Sequence, residues 1–69
     1  MNSRPMPLTD AYELRFESLF CTGRALAFPC NVFGDVKLDA LSDAARQNYL
    51  FARAVVGRDY ASPIVLRRD

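Results

Sequence analysis

Two cysteines, Cys21 and Cys30, sit nine positions apart in the stretch CTGRALAFPCNVFG, and they are the first residues to test for chemistry. A reactive pair needs a short separation in space, and a zinc site needs about four ligands at close spacing. Histidine is absent, which removes the usual general base near neutral pH and the commonest metal ligand. The three glycines stand alone at 23, 34 and 57, so no glycine-rich loop cradles a phosphate. Nucleophilic catalysis at Ser or Cys requires an adjacent base, and only carboxylates such as Glu13 and Glu17 are present for that. These residues point away from an enzyme. No catalytic residue, metal ligand or cofactor is expected.

Whether the thiols meet depends on the elements that carry them. AYELRFESLF alternates: Tyr12, Leu14, Phe16, Ser18 and Phe20 share one parity, and Glu13, Arg15 and Glu17 the other. That period of two belongs to a strand with one buried face. RALAFPC repeats it, with Leu26, Phe28 and Cys30 inward, and DVKL offers Val36 and Leu38. The spacing predicts strands over about 11–20, 24–31 and 35–38. Each connection reads as a three-residue loop closed by glycine, Cys21-Thr22-Gly23 and then Val32-Phe33-Gly34. Such loops pair Phe16 with Phe28, Leu14 with Cys30 and Ser18 with Leu26 in the first hairpin. In the second they pair Cys30 with Val36 and Phe28 with Leu38. The two cysteines then lie roughly 20 Å apart, beyond disulfide reach. Cys30 is expected in the core and Cys21 exposed, with no disulfide.

From Asp39 the period lengthens. Leu41, Ala45, Tyr49, Ala52, Val55 and Val56 fall on one side of a helical wheel, and Asp43, Arg46, Gln47, Leu50 and Arg53 on the other. A helix over about 40–56 follows, capped by Asp39 in preference to Ser42 and stopped by Gly57. Asn48 falls in the apolar arc and, if buried, needs a partner, for which Ser18 is one candidate. PIVLRR fits either an edge strand over 64–66 or a segment along the helix, and the sequence leaves both open. The expected fold is α+β: a three-stranded antiparallel meander packed on one face by a single helix. Residues 1–9, with two prolines and no periodicity, read as a flexible leader before a single βββα domain over 10–69.

Sixty-nine residues bound the chain to one small domain, burying roughly 60% of its unfolded surface. No run approaches the ~20 apolar residues of a membrane span, and the first residues lack the apolar core of a signal peptide. A cytoplasmic location is expected, and no membrane partner. Net charge is +1, unevenly spread: Asp10 to Asp43 holds six acids against three bases, and Ala44 onward five bases against two acids. Nucleic acid binding would use that second half, Arg46, Arg53, Arg58, Arg67 and Arg68. The open sheet face argues against it, being acidic and without rings for base stacking. Apolar residues in polar places point instead to a protein contact: Val32 and Phe33 at a turn tip, and Leu50 framed by Arg46 and Arg53. The expected function is a non-enzymatic interaction module that binds a protein partner or a second copy of itself.

YELRFESLF, the run from Gly23 to Cys30 and NYLFARAVVGRDY together resemble a set of short proteobacterial proteins of no established function. The resemblance covers most of the chain after Asp10. It implies a free-standing small bacterial protein and brings no functional residues with it.

Overall fold

The structure, a computed structural model, describes residues 11–68. The leader read over 1–9 lies outside the described residues. Its architecture is α+β: a three-stranded antiparallel sheet and one helix. The strands are β1 (Tyr12–Glu17), β2 (Ala25–Cys30) and β3 (Ile64–Arg67); α1 (Asp43–Ala54) joins β2 to β3 through a short 3-10 turn at Leu38–Ala40. Spatial order is β2-β1-β3, so β1 is central. The helix lies against the sheet face that carries Leu14, Phe16, Phe28 and Cys30, and it contributes Ala52 to the same core. Tyr49 stands edge-on to both core rings, 6.3 Å from Phe16 and 5.3 Å from Phe28, and those two are themselves edge-on at 5.9 Å. Such pairs add about 0.5–1.5 kcal/mol each beyond the area they bury.

The first hairpin keeps its expected faces in a different register. Leu14 lies opposite Phe28, Phe16 opposite Leu26 and Tyr12 opposite Cys30, two residues away from the pairs the three-residue loop implies. A shift of two preserves parity, so the same side chains still point inward. The cause is Ser18. Its Oγ accepts from the backbone N–H of Phe20 (3.2 Å) and Cys21 (3.0 Å), while its own N–H donates to the Arg24 carbonyl (2.9 Å). A hydroxyl that satisfies nearby backbone in this way ends a strand and opens a turn. The strand stops at Glu17 instead of 20, and Leu19 and Phe20 are left in a longer loop.

The second turn forms as expected around Asn31 and Gly34, but the strand read over 35–38 does not follow. Asn31 and Asp35 make the first rung, Asn31 N–H to Asp35 carbonyl at 3.1 Å. The next rung would need the N–H of Pro29, which proline lacks. The chain therefore leaves β2 and winds into the 3-10 turn. The vacant place in the sheet is filled by β3 on the other edge of β1, pairing Leu14 with Val65 and Arg15 with Ile64. The third strand is thus the run first read as an optional edge, and the element order is ββαβ in place of βββα. Strand order β2-β1-β3 is no meander.

The helix begins later than the periodicity suggests. Ser42, not Asp39, is the N-cap, its Oγ accepting from Ala45 N–H at 3.1 Å. Leu38 to Leu41 is instead clasped by Arg46, which donates from Nε to the Leu38 carbonyl and from Nη2 to the Leu41 carbonyl, each 3.3 Å. The inward face is the expected one: Ala52 and Val55 are buried, and Ala45, Tyr49 and Val56 half-buried. Asn48 is exposed and needs no buried partner.

Candidate interaction surface

Asn31 builds the most ordered part of this surface. Its Oδ1 accepts from the N–H groups of Phe33 and Asp35, both at 2.9 Å, its Nδ2 donates to Asp35 Oδ2 at 3.3 Å, and its carbonyl accepts from Gly34 N–H at 3.0 Å. Gly34 has φ +88, and a Cβ there would sit 3.2 Å from Val65 Cγ2 and 3.6 Å from Leu14 Cδ1. The turn is therefore pressed onto the core side of β1 and β3. Its tip nevertheless holds Val32 and Phe33 in water, Phe33 with 83% of its surface exposed. An exposed aromatic residue whose backbone is already ordered by its turn binds a partner at a smaller ordering cost.

The three helical candidates divide. Leu50 is exposed, and Arg53 lies 5.9 Å over the Tyr49 ring. Arg46 is turned inward to the 38–41 clasp and also pairs with Asp43 at 3.0 Å. Among the described residues, no hydrogen bond, ion pair or ring contact joins Val32 or Phe33 to this group. Of the remaining arginines, Arg58 approaches Asp59 at 3.9 Å, Arg67 ends β3, and Arg68 donates its N–H to the Ala11 carbonyl at 2.9 Å.

Several exposed apolar residues carry no signal in the sequence pattern. Leu19 and Phe20 follow the early stop at Ser18. Phe51 stands half in water, its ring edge-on to Tyr60 at 6.5 Å, and all four residues of β3 are exposed. The Ser18 hydroxyl was the available clue to the first pair; β3 could be placed only by knowing which edge of β1 stays open. The sheet face away from the helix presents Ala25, Ala27 and Pro29 on one side and Ile64 and Leu66 on the other. Between them Arg15 bridges Glu13 (3.1 Å) and Glu17 (2.9 Å). Because β3 and not 35–38 completes the sheet, that face carries two large aliphatic residues, Ile64 and Leu66.

The thiols are free, Cys21 exposed and Cys30 buried. Burial pushes the Cys30 thiol above its ordinary value of 9.0, the nearby Asp35 and Glu13 carboxylates push the same way, and Arg68 opposes them. A thiol kept protonated is a poor nucleophile and metal ligand. A groove along Val36–Ala40 is lined by one consecutive run of chain and gathers no set of reactive groups. No described helix is long and apolar enough to cross a membrane. Comparison of the chain with protein-family models, with curated proteins and with solved structures finds no match to any of them.

Proposed function

We propose that this protein is a non-enzymatic cytoplasmic interaction module that recognises another protein through exposed apolar and arginine side chains. The observation that carries this reading is Phe33, held in water by a turn in which Asn31 satisfies the backbone on both sides of the ring. Aromatic residues and arginine are enriched where proteins meet, and a ring presented by an ordered turn suits such a contact. Val32 extends the tip, and Leu50 with Arg53 forms a second contact on the helix; Arg46 supports that helix from inside. Nucleic acid recognition through the basic half has less in its favour, because the Arg46 guanidinium is engaged with carbonyls and Asp43.

The reading is tested by capture from cell lysate on immobilised wild-type protein, Phe33→Ser and Leu50→Glu. A specific protein should be retained by wild type and lost with Phe33→Ser, with Leu50→Glu weakening it. Identical retained proteins on all three, with both variants folded, would sink it.

A further inference from the structure

The outer edge of β3 is laid out to be paired. Arg68 N–H donates to the Ala11 carbonyl, so within the β1–β3 ladder Ile64, Leu66 and Arg68 direct their backbone groups at β1. Antiparallel pairing alternates, and Val65 and Arg67 therefore turn both N–H and C=O outward. Among the described residues nothing pairs with them. Proteins usually protect such an edge with proline, an inward charge or a covering element. The opposite edge of the sheet has Pro29; among the described residues the β3 edge, Ile-Val-Leu-Arg, has no proline and no covering element, and its one charge, Arg67 opposite Tyr12 on the core side, is one that an acid on a partner would satisfy.

We propose that this edge is where a second copy of the chain binds, β3 against β3 in antiparallel fashion about a two-fold axis through Leu66. Three symmetric registers bring outward groups together, and the residues choose between them. Centring on Val65 sets Arg67 against Pro63, which has no N–H to give. Centring on Arg67 sets two like charges directly opposite, which is destabilising. Centring on Leu66 pairs Val65 of each copy with Arg67 of the other, and every outward N–H and C=O finds a partner. One sheet then runs β2-β1-β3-β3-β1-β2 through both molecules.

The same register matches charge. Val65 Cγ2 lies 3.2 Å from where a Cβ on Gly34 would sit, and Asp35 is the next residue in that turn. Its carboxylate has no cationic group within salt-bridge distance among the described residues. Arg67 of the second copy, laid over Val65, reaches that carboxylate and the exposed ring of Phe33, which suits a guanidinium. Exposed Phe33, unpaired Asp35 and the open edge are thus accounted for by one contact. This extends the interaction reading to a defined partner and does not depend on the lysate result.

The test is solution mass against concentration together with amide hydrogen exchange. Mass should rise toward twice the 7.8 kDa of one chain. The Val65 and Arg67 amides should become protected as it does, with Leu66 and Arg68 protected throughout as a check on folding. Arg67→Pro removes an outward donor together with the guanidinium, leaves the N–H groups directed at β1 in place, and should hold the protein at one chain. Asp35→Lys and Arg67→Glu should each do the same alone, and mixing the two should restore the double mass, since every cross-contact is then between opposite charges. A wild-type mass that stays at one chain up to about 1 mM overturns the proposal. So does a dimer that survives Arg67→Pro, or a mixture no heavier than its components.

Discussion

Cys30 lies sealed beneath the helix with 1% of its surface exposed, whereas Cys21 stands in the first loop. A thiol reagent should label Cys21 at once and Cys30 only on unfolding, which mass spectrometry at increasing denaturant reads directly. The raised pKa of Cys30 also sets a pH limb. The folded state holds the proton more tightly than the unfolded one, so the stability it contributes is complete below 9.0 and is lost as pH rises above it. Denaturant midpoints should fall on the alkaline side, less steeply in Cys30→Ala. Two glycines make a sharper comparison. Gly23 and Gly34 both have positive φ, but only Gly34 meets side chains where a Cβ would go. Gly23→Ala should cost about 1–2 kcal/mol from backbone strain alone, and Gly34→Ala clearly more. Equal losses in chemical denaturation would contradict the packing of that turn on Val65. The burial of Cys30 and exposure of Cys21 were legible from alternation alone, as were both glycine positions. The exposure of Phe20 was not, because parity cannot reveal that a serine hydroxyl has already ended the strand.

The elements show why local pattern reads faces better than ends. Inward residues of β1, β2 and α1 follow from periods of two and 3.6, which reflect geometry every strand and helix shares. Register and boundaries answer to single hydrogen bonds: the Ser18 hydroxyl, the missing Pro29 N–H and the Ser42 cap. Pro29 was visible as an outward residue, yet its consequence for a strand at 35–38 appears only when the rungs are counted past Asn31. The cap gives a direct check. Ser42→Ala should lower stability by about 1 kcal/mol, whereas Asp39→Ala should change it little. Thermal melts that reversed this order would put the helix start back at residue 40. Of the candidate contacts, Val32, Phe33 and Leu50 were legible as apolar residues in polar settings. That Arg46 reaches across to the Leu38 and Leu41 carbonyls was not, since the sequence pattern put Leu38 in a strand and Leu41 in the helix, not both in one turn.

For the molecule as a whole, the core is a single cluster in which three rings meet edge-on beneath Ala52. Phe16→Ala or Phe28→Ala should each cost about 3–5 kcal/mol, enough to unfold a domain this small, and circular dichroism would show it. Removing β3 by ending the chain at Ser62 should also destabilise the fold strongly, because Leu14 loses Val65 and the central strand becomes an open edge of a two-stranded sheet under the helix. A truncated chain that melts cooperatively like the parent would show that β3 is an accessory. The tripartite sheet with one helix was legible in outline; the partner of the central strand was not, because pairing over roughly fifty positions leaves no trace in any local window. That long-range pairing sets Ala11 beside Arg68, so the described residues begin and end at neighbouring points. Tension applied across those two points would unzip the ladder one rung at a time instead of shearing all rungs together, so the fold should yield at low force. For the same reason it could be spliced into a surface loop of a carrier protein, or recut and rejoined by a short linker, with its packing intact.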